Sequence, residues 1–168
     1  MKTVILIRHA KSSWDSAASN DFDRPLNDRG KNDAPEMAKR LKNKDIVIDA
    51  FISSPARRAK KTAKLFISEL GKKDQDVMYV SSLYNAAEKD FEEVIQGMDD
   101  KYKVIAIFSH NPGITDFANT LTTNIVDNMP TSSVFAVTAR VKKWKEFKDA
   151  EKEFWFFDYP KRYEDTRC

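Results

Sequence analysis

The chain has two histidines, and each follows an apolar, strand-like run at the point where the backbone must turn. Val4-Ile5-Leu6-Ile7 leads into Arg8-His9-Ala10, and Val104-Ile105-Ala106-Ile107-Phe108 leads into Ser109-His110-Asn111-Pro112-Gly113. A histidine at one strand end is as often a polar loop residue bonded to its own turn as it is a functional one. A matched pair, with Arg8 beside the first, favours a shared site. Imidazole is the commonest proton-transfer group near neutral pH and can also attack as a nucleophile. Attack on phosphorus needs cations to gather the spread charge of a phosphoryl group. The planar guanidinium fork supplies them by bidentate hydrogen bonding.

These residues need elements that hold them. Short β-branched runs bounded by turn residues read as buried parallel strands, and open α/β sheets bind ligands beyond the carboxyl ends of such strands. The first strand is expected over Thr3 to Arg8, followed by a polar stretch, Ala10 to Asp28. A connection that long is usually functional or disordered, and its departure from His9 favours a lid or binding loop. Helix one runs to Leu41 or Lys42. It starts either at Asn27, with a kink at Pro35, or at Asp33, whose Glu36 three residues later resembles a capping box. The second strand is expected over Ile46 to Ser53. Ser54-Pro55 then opens helix two with a hydroxyl cap and a proline in the first turn. That places Arg57 and Arg58 where helix amides and the dipole favour an anion. Either could equally be a surface charge.

Val77 to Val80, Lys103 to Ser109, Ser133 to Val141 and Phe154 to Tyr159 give the remaining strands, with helices over Asp90 to Met98 and Pro112 to Leu121. The link between the last two strands is short for a crossover helix, so they should pair antiparallel. Alternation of strands and helices implies a three-layer α/β/α domain, 1–168, around a mostly parallel sheet of about six strands.

Composition narrows the classes further. At 168 residues, 41% apolar and 33% charged, the chain fits one globular domain. No apolar run reaches the roughly 20 residues of a membrane span. The early first strand leaves no room for a signal peptide, and one cysteine, Cys168, fits a reducing compartment; a cytoplasmic location is expected. A net charge of +3 does not call for nucleic acid. The basic run Arg57 to Lys64 reads mostly as solvated helix surface, with some capacity to meet an acidic or phosphorylated partner. With 4 glycines and no Gly-rich phosphate loop, nucleotide binding is disfavoured.

Four segments resemble one known pattern in order and spacing. Arg8-His9-Ala10, with Ser12 and Trp14, looks like the Arg-His-Gly signature of the histidine phosphatase superfamily, which includes cofactor-dependent phosphoglycerate mutases and many phosphatases. Ser53-Ser54-Pro55-Ala56-Arg57-Arg58-Ala59-Lys60-Lys61-Thr62-Ala63 resembles its second motif, and Ser109-His110-Asn111-Pro112 its Gly-His-Asn-Pro motif. Asp23-Arg24-Pro25-Leu26-Asn27, with Gly30, resembles the segment leading into helix one. The resemblance implies that His9 is a nucleophile that becomes a phosphohistidine. It selects Arg58 rather than Arg57 as a phosphate ligand, beside Arg8 and His110, with Arg24 and Ser12 as secondary ligands. It implies no cofactor and no metal.

Three departures bear on substrate. Ala10 replaces the signature glycine, and Asp15 stands where mutases have Asn. Leu83-Tyr84-Asn85 carries Asn where mutases carry a glutamate general acid, although Glu88 is near enough in sequence to take that role. An alkoxide leaving group wants a proton donor, whereas an imidazole, with an ordinary pKa of about 6.5, leaves neutral once its other nitrogen is protonated. Short length and the missing acid resemble the SixA-type phosphohistidine phosphatases. The expected substrate is then a phosphohistidine on a protein or, failing that, a small phosphorylated molecule. The alternatives are a general phosphomonoesterase using Glu88 or water, and a phosphate-binding module without turnover.

Overall fold

A computed structural model of the chain describes residues 1–14, 20–73 and 76–163. Six strands form one sheet: β1 (Lys2–Arg8), β2 (Ala50–Ser53), β3 (Val77–Tyr79), β4 (Val104–Ser109), β5 (Val134–Ala139) and β6 (Lys152–Asp158). Among the described residues, four α-helices accompany them: α1 (Asp28–Asn43), α2 (Arg57–Glu69), α3 (Glu88–Gln96) and α4 (Gly113–Leu121). The strand order is β3-β2-β4-β1-β5-β6. All neighbours run parallel except those of β5, which is antiparallel to both β1 and β6.

The period-2 alternation of β1 builds the layers. Ile5 and Ile7 face one core with Met37, Ala38 and Leu41 of α1 and Phe66 and Ile67 of α2. Val4 and Leu6 face the other, with Phe91 and Ile95 of α3 and Phe117 and Leu121 of α4. Phe91 and Phe117 stack at 4.8 Å and 5°. Each such aromatic contributes about 1.5–3 kcal/mol by burial, so the helices are fixed to the sheet by their apolar faces rather than by their caps.

Several boundaries differ from the sequence expectation. Helix one is the long form: Asn27 caps it, accepting from the Gly30 amide, and Pro35 lies inside. Burial of Ala34, Met37, Ala38 and Leu41 on one face outweighs the backbone bond that Pro35 removes. Strand two begins at Ala50, not Ile46. Helix two begins at Arg57 without a side-chain cap, because the Ser54 hydroxyl is engaged elsewhere. Helix three begins two residues earlier than expected, and α4 starts at Gly113 after a cis Asn111-Pro112 bond. The described parts of the stretch after His9, residues 10–14 and 20–27, are pinned by backbone bonds and a short helix. Ser12 bridges Leu26, the Lys11 carbonyl accepts from Asn27, and Asp21–Asp23 forms a 3-10 turn. Asp15 and Cys168 lie outside the described residues.

Candidate active site

The two histidines are brought together by strand pairing. Arg8 is in register with Ser109 on the adjacent strands β1 and β4, and the His9 amide donates to the Ser109 carbonyl at 3.1 Å. The imidazole centroids stand 5.1 Å apart, and each residue is 6% exposed.

Hydrogen bonding fixes the state of His9. Nδ1 lies 2.8 Å from the Ala10 carbonyl. A carbonyl only accepts, so Nδ1 carries the hydrogen and Nε2 presents its lone pair. Burial pushes the His9 pKa well below its ordinary value; the Ala10 bond opposes this, and His110, Arg58 and Arg8 add to it. The side chain is thus a neutral imidazole with a bare Nε2 at physiological pH. Ala10 itself is held by Thr62, whose Oγ1 accepts from the Ala10 amide at 2.9 Å and donates to the Arg58 carbonyl at 2.7 Å. One threonine on α2 therefore ties the histidine loop to the arginine turn. Ala10 replaces the glycine of the motif without a backbone penalty, since it is absent from the positive-φ positions.

Arg58 is 5% exposed and directs Nε at His9 Nε2 over 3.4 Å. Arg57 points away, toward the Asp23 carbonyl, and lines a groove with Lys31, Lys60, Lys61 and Lys64. Arg8 donates from Nη1 to the Met129 carbonyl at 2.8 Å, while its buried Nε has no partner among the described residues. His110 Nε2 meets Ser54 Oγ at 2.7 Å, and that hydroxyl also accepts from the Ala56 amide. Buried His110 Nδ1 has no partner among the described residues. Burial, then Arg58, push the His110 pKa down to about 3, against the pull of Asp21. His110 is neutral until an anion arrives; a bound phosphoryl group would move it toward the charged donor expected from the sequence.

Ser12 and Arg24 bond each other at 2.7 Å, and Arg24 stacks 3.6 Å above the exposed Trp14 ring. Trp14 is open to solvent, whereas Ser12 is as buried as His9. Glu88 opens α3 and lines a cavity with Glu92, Phe117, Phe147 and Lys148, a lining that includes neither histidine and neither Arg8 nor Arg58. Asn85, where mutases have the acid, adopts φ 58° and makes a backbone turn that Asn tolerates well.

Three contributions escaped the sequence reading. The Met129–Ser133 segment closes the end of β1: the Ser132 amide donates to the Arg8 and His9 carbonyls, and Ser133 accepts from the Arg8 amide. Its Pro130-Thr131-Ser132 turn chemistry ahead of a strand was the available signal. Tyr84 sets its ring edge against His110 at 5.5 Å. Asp21 accepts from Arg24 Nε, Arg58 Nη2 and the Tyr84 hydroxyl at 3.0, 3.0 and 2.7 Å. Partial burial resists ionisation of Asp21, but Tyr84, Arg58 and Arg24 outweigh it and hold the carboxyl pKa down at about 2.

The α/β sheet thus presents a neutral, oriented histidine, the buried Arg58, the half-buried Arg8 and a second histidine beyond its central strands. Comparison with known proteins gives the family. Residues 4–146 match the profile of the histidine phosphatase superfamily (branch 1), and the chain belongs to that superfamily. An uncharacterized chloroplastic protein of Arabidopsis thaliana is 29% identical over 153 residues, which is 86% of this chain and 70% of the relative. A 2,3-bisphosphoglycerate-dependent phosphoglycerate mutase of Bartonella tribocorum is 30% identical over 49% of this chain, a match spanning 41% of the mutase. Among solved structures, a protein of Agrobacterium tumefaciens described as the phosphohistidine phosphatase SixA superposes with a TM-score of 0.80 at 22% identity, covering 95% of this chain and 98% of that one. The protein histidine phosphatase SixA complexed with tungstate gives 0.79 at 21% identity, covering 94% and 97%. These two likenesses show a shared fold. No described helix is long and apolar enough to cross a membrane.

Proposed function

We propose that the protein is a phosphatase that transfers a phosphoryl group to His9 Nε2 and then to water, with phosphohistidine as its preferred substrate. The observation that carries this reading is the His9 tautomer. Nδ1–H is tied to the Ala10 carbonyl, and Nε2 keeps its lone pair, which accepts a long 3.4 Å hydrogen bond from Arg58 Nε. Arg8 and Arg58 gather the phosphoryl oxygens, and His110 donates to one of them as the incoming charge raises its basicity. Water then cleaves the phosphoenzyme.

Leaving-group chemistry supports the substrate class. Glu88 turns toward another cavity, and Asp21 is held ionised, so the site offers no protonated carboxylic acid among the described residues. A phosphohistidine needs none, because its imidazole departs neutral once the other ring nitrogen carries a proton. Fold likeness to SixA proteins agrees with this choice. The test is brief exposure to a ³²P-phosphohistidine protein, quenched, for wild type and His9→Ala. Acid-labile, alkali-stable label on wild type alone is expected. Phosphate binding without label or phosphate release would instead identify a binding module. Turnover of phosphoserine as fast as phosphohistidine would return the protein to the general phosphomonoesterases.

A further inference from the structure

Asp21 is a carboxylate at the mouth of an anion pocket, which phosphoryl binding alone does not call for. Its side chain is 47% exposed, whereas that of Arg58 beside it is 6% exposed. It does not simply plug the pocket. Arg58 grips Asp21 with one edge of the guanidinium, Nη1 on the backbone carbonyl at 2.7 Å and Nη2 on the carboxylate at 3.0 Å. Five N–H groups in a planar fork leave the adjoining edge, Nε and the second Nη2 hydrogen, on the His9 side. The carboxylate therefore stands beside the phosphate-binding edge rather than on it. Three donors occupy it among the described residues, out of about four acceptor positions, and the remaining one lies on Oδ1, which receives only Arg24. Tyr84 and Phe22, edge to face at 5.2 Å, sit beside it with Phe22 37% exposed, giving an apolar flank suited to a flat ring.

Resting on the phosphohistidine reading above, we propose that Asp21 selects phosphohistidine over phosphate monoesters by accepting a hydrogen bond from the protonated distal nitrogen of the substrate imidazole. In the step it assists, the substrate P–N bond breaks and a P–N bond to His9 Nε2 forms. The electron pair of the old bond stays on the departing nitrogen, and the distal N–H remains facing Asp21, so a neutral imidazole leaves. His9 keeps its Nδ1–H on the Ala10 carbonyl throughout. A monoester gains nothing from Asp21: it brings no cation, and its leaving oxygen develops negative charge beside a carboxylate that Tyr84, Arg58 and Arg24 keep ionised.

The experiment measures kcat/KM for phosphoimidazole and for p-nitrophenyl phosphate with the full chain at pH 6.5. Wild type, Asp21→Asn and Asp21→Glu are compared through the ratio of the two values. Any loosening of Arg58 lowers both rates and cancels in the ratio. At least a tenfold fall in the phosphoimidazole preference is expected for Asp21→Asn, with partial recovery in Asp21→Glu. A ratio unchanged or raised in Asp21→Asn overturns the inference while leaving the phosphatase reading intact. Should Asp21→Asn fail to fold, Asp21→Ser removes the same charge with a smaller side chain and is read in the same way. Wild type that hydrolyses the aryl phosphate but not phosphoimidazole would remove the phosphohistidine reading itself, and this inference with it, before any variant is made.

Discussion

The inner wall of the site and its outer rim differ in how they are held. His9, His110 and Arg58 are each at most 6% exposed and hang from the central strands β1 and β4 and the first turn of α2. The rim is a surface excursion: Trp14 is 75% exposed, and Asp21 and Arg24 are joined through side chains rather than through the sheet. On the function proposed above, the buried groups locked by backbone bonds set the chemistry, and the more accessible Asp21 biases which phosphoryl compound reaches it. Their contributions should therefore separate by kind, with rate losses inside and selectivity changes outside.

The largest expected effect is at the centre of the inner wall. Replacing His9 by Ala should lower kcat by about 10⁴-fold or more and abolish the covalent label, since a nucleophile has no substitute in the site. Arg58→Ala follows, with a loss of about 10²–10³-fold in kcat, the usual cost of one preorganised donor to a developing oxyanion. Steady-state kinetics on an aryl phosphate would check both, and a larger loss at the rim than at Arg58 would erase the distinction. Thr62→Val tests the tie between the two wall segments. It strands the buried Ala10 amide, so chemical denaturation should show about 1–3 kcal/mol lost stability.

The wall also carries a pH signature that the rim does not share. The folded-state pKa values of His9 and His110 are lowered, so near and below pH 6.5 the unfolded chain binds protons that the folded protein refuses. That stability is fully present above about pH 6.5 and falls as the pH drops toward the His110 value of about 3. Asp21 has the opposite sign of charge and acts lower, its stabilisation being lost between its ordinary carboxyl pKa of about 3.9 and about 2. Thermal melts between pH 7 and 4 should decline, and less steeply in His110→Asn. The smallest effect is expected at Glu88→Gln, within about twofold of wild type on any substrate, because α3 turns that residue to another cavity. A large drop there would restore the acid that the mutases have in this region.

The inner wall was readable in the residues, and the rim largely was not. Val4 to Ile7 and Val104 to Phe108 are short apolar runs rich in β-branched residues and bounded by turn residues, which reads as buried strands, so the residues alone put both histidines at strand ends. Periodicity alone does not separate Arg57 from Arg58; the motif resemblance does. The hydroxyl-then-proline pair Ser54-Pro55 reads as a helix cap. Here the Ser54 Oγ faces His110 instead, and the helix starts at Arg57. Asp21 lies within the polar stretch Ala10 to Asp28, where nothing in the sequence singles it out. Its meaning depends on Arg58 and Tyr84, 37 and 63 positions away, and no local pattern encodes such a contact. Gly30 and Gly113 carried hidden information too, since a Cβ on either would meet the Lys11 or Ala86 carbonyl at 2.2 Å.

The in-register pairing of Arg8 with Ser109 at the middle of the sheet also bears on cooperativity. Central strands open only when the whole domain opens, whereas a surface turn such as Asp21–Asp23 can open alone. Amide exchange at His9, whose N–H is bonded to the Ser109 carbonyl, should proceed at the global unfolding rate, and exchange at Phe22 and Asp23 far faster. Covalent labelling of His9 then reports the folded fraction directly: on heating, the label and the sheet should disappear together, after selectivity between substrates has already begun to blur.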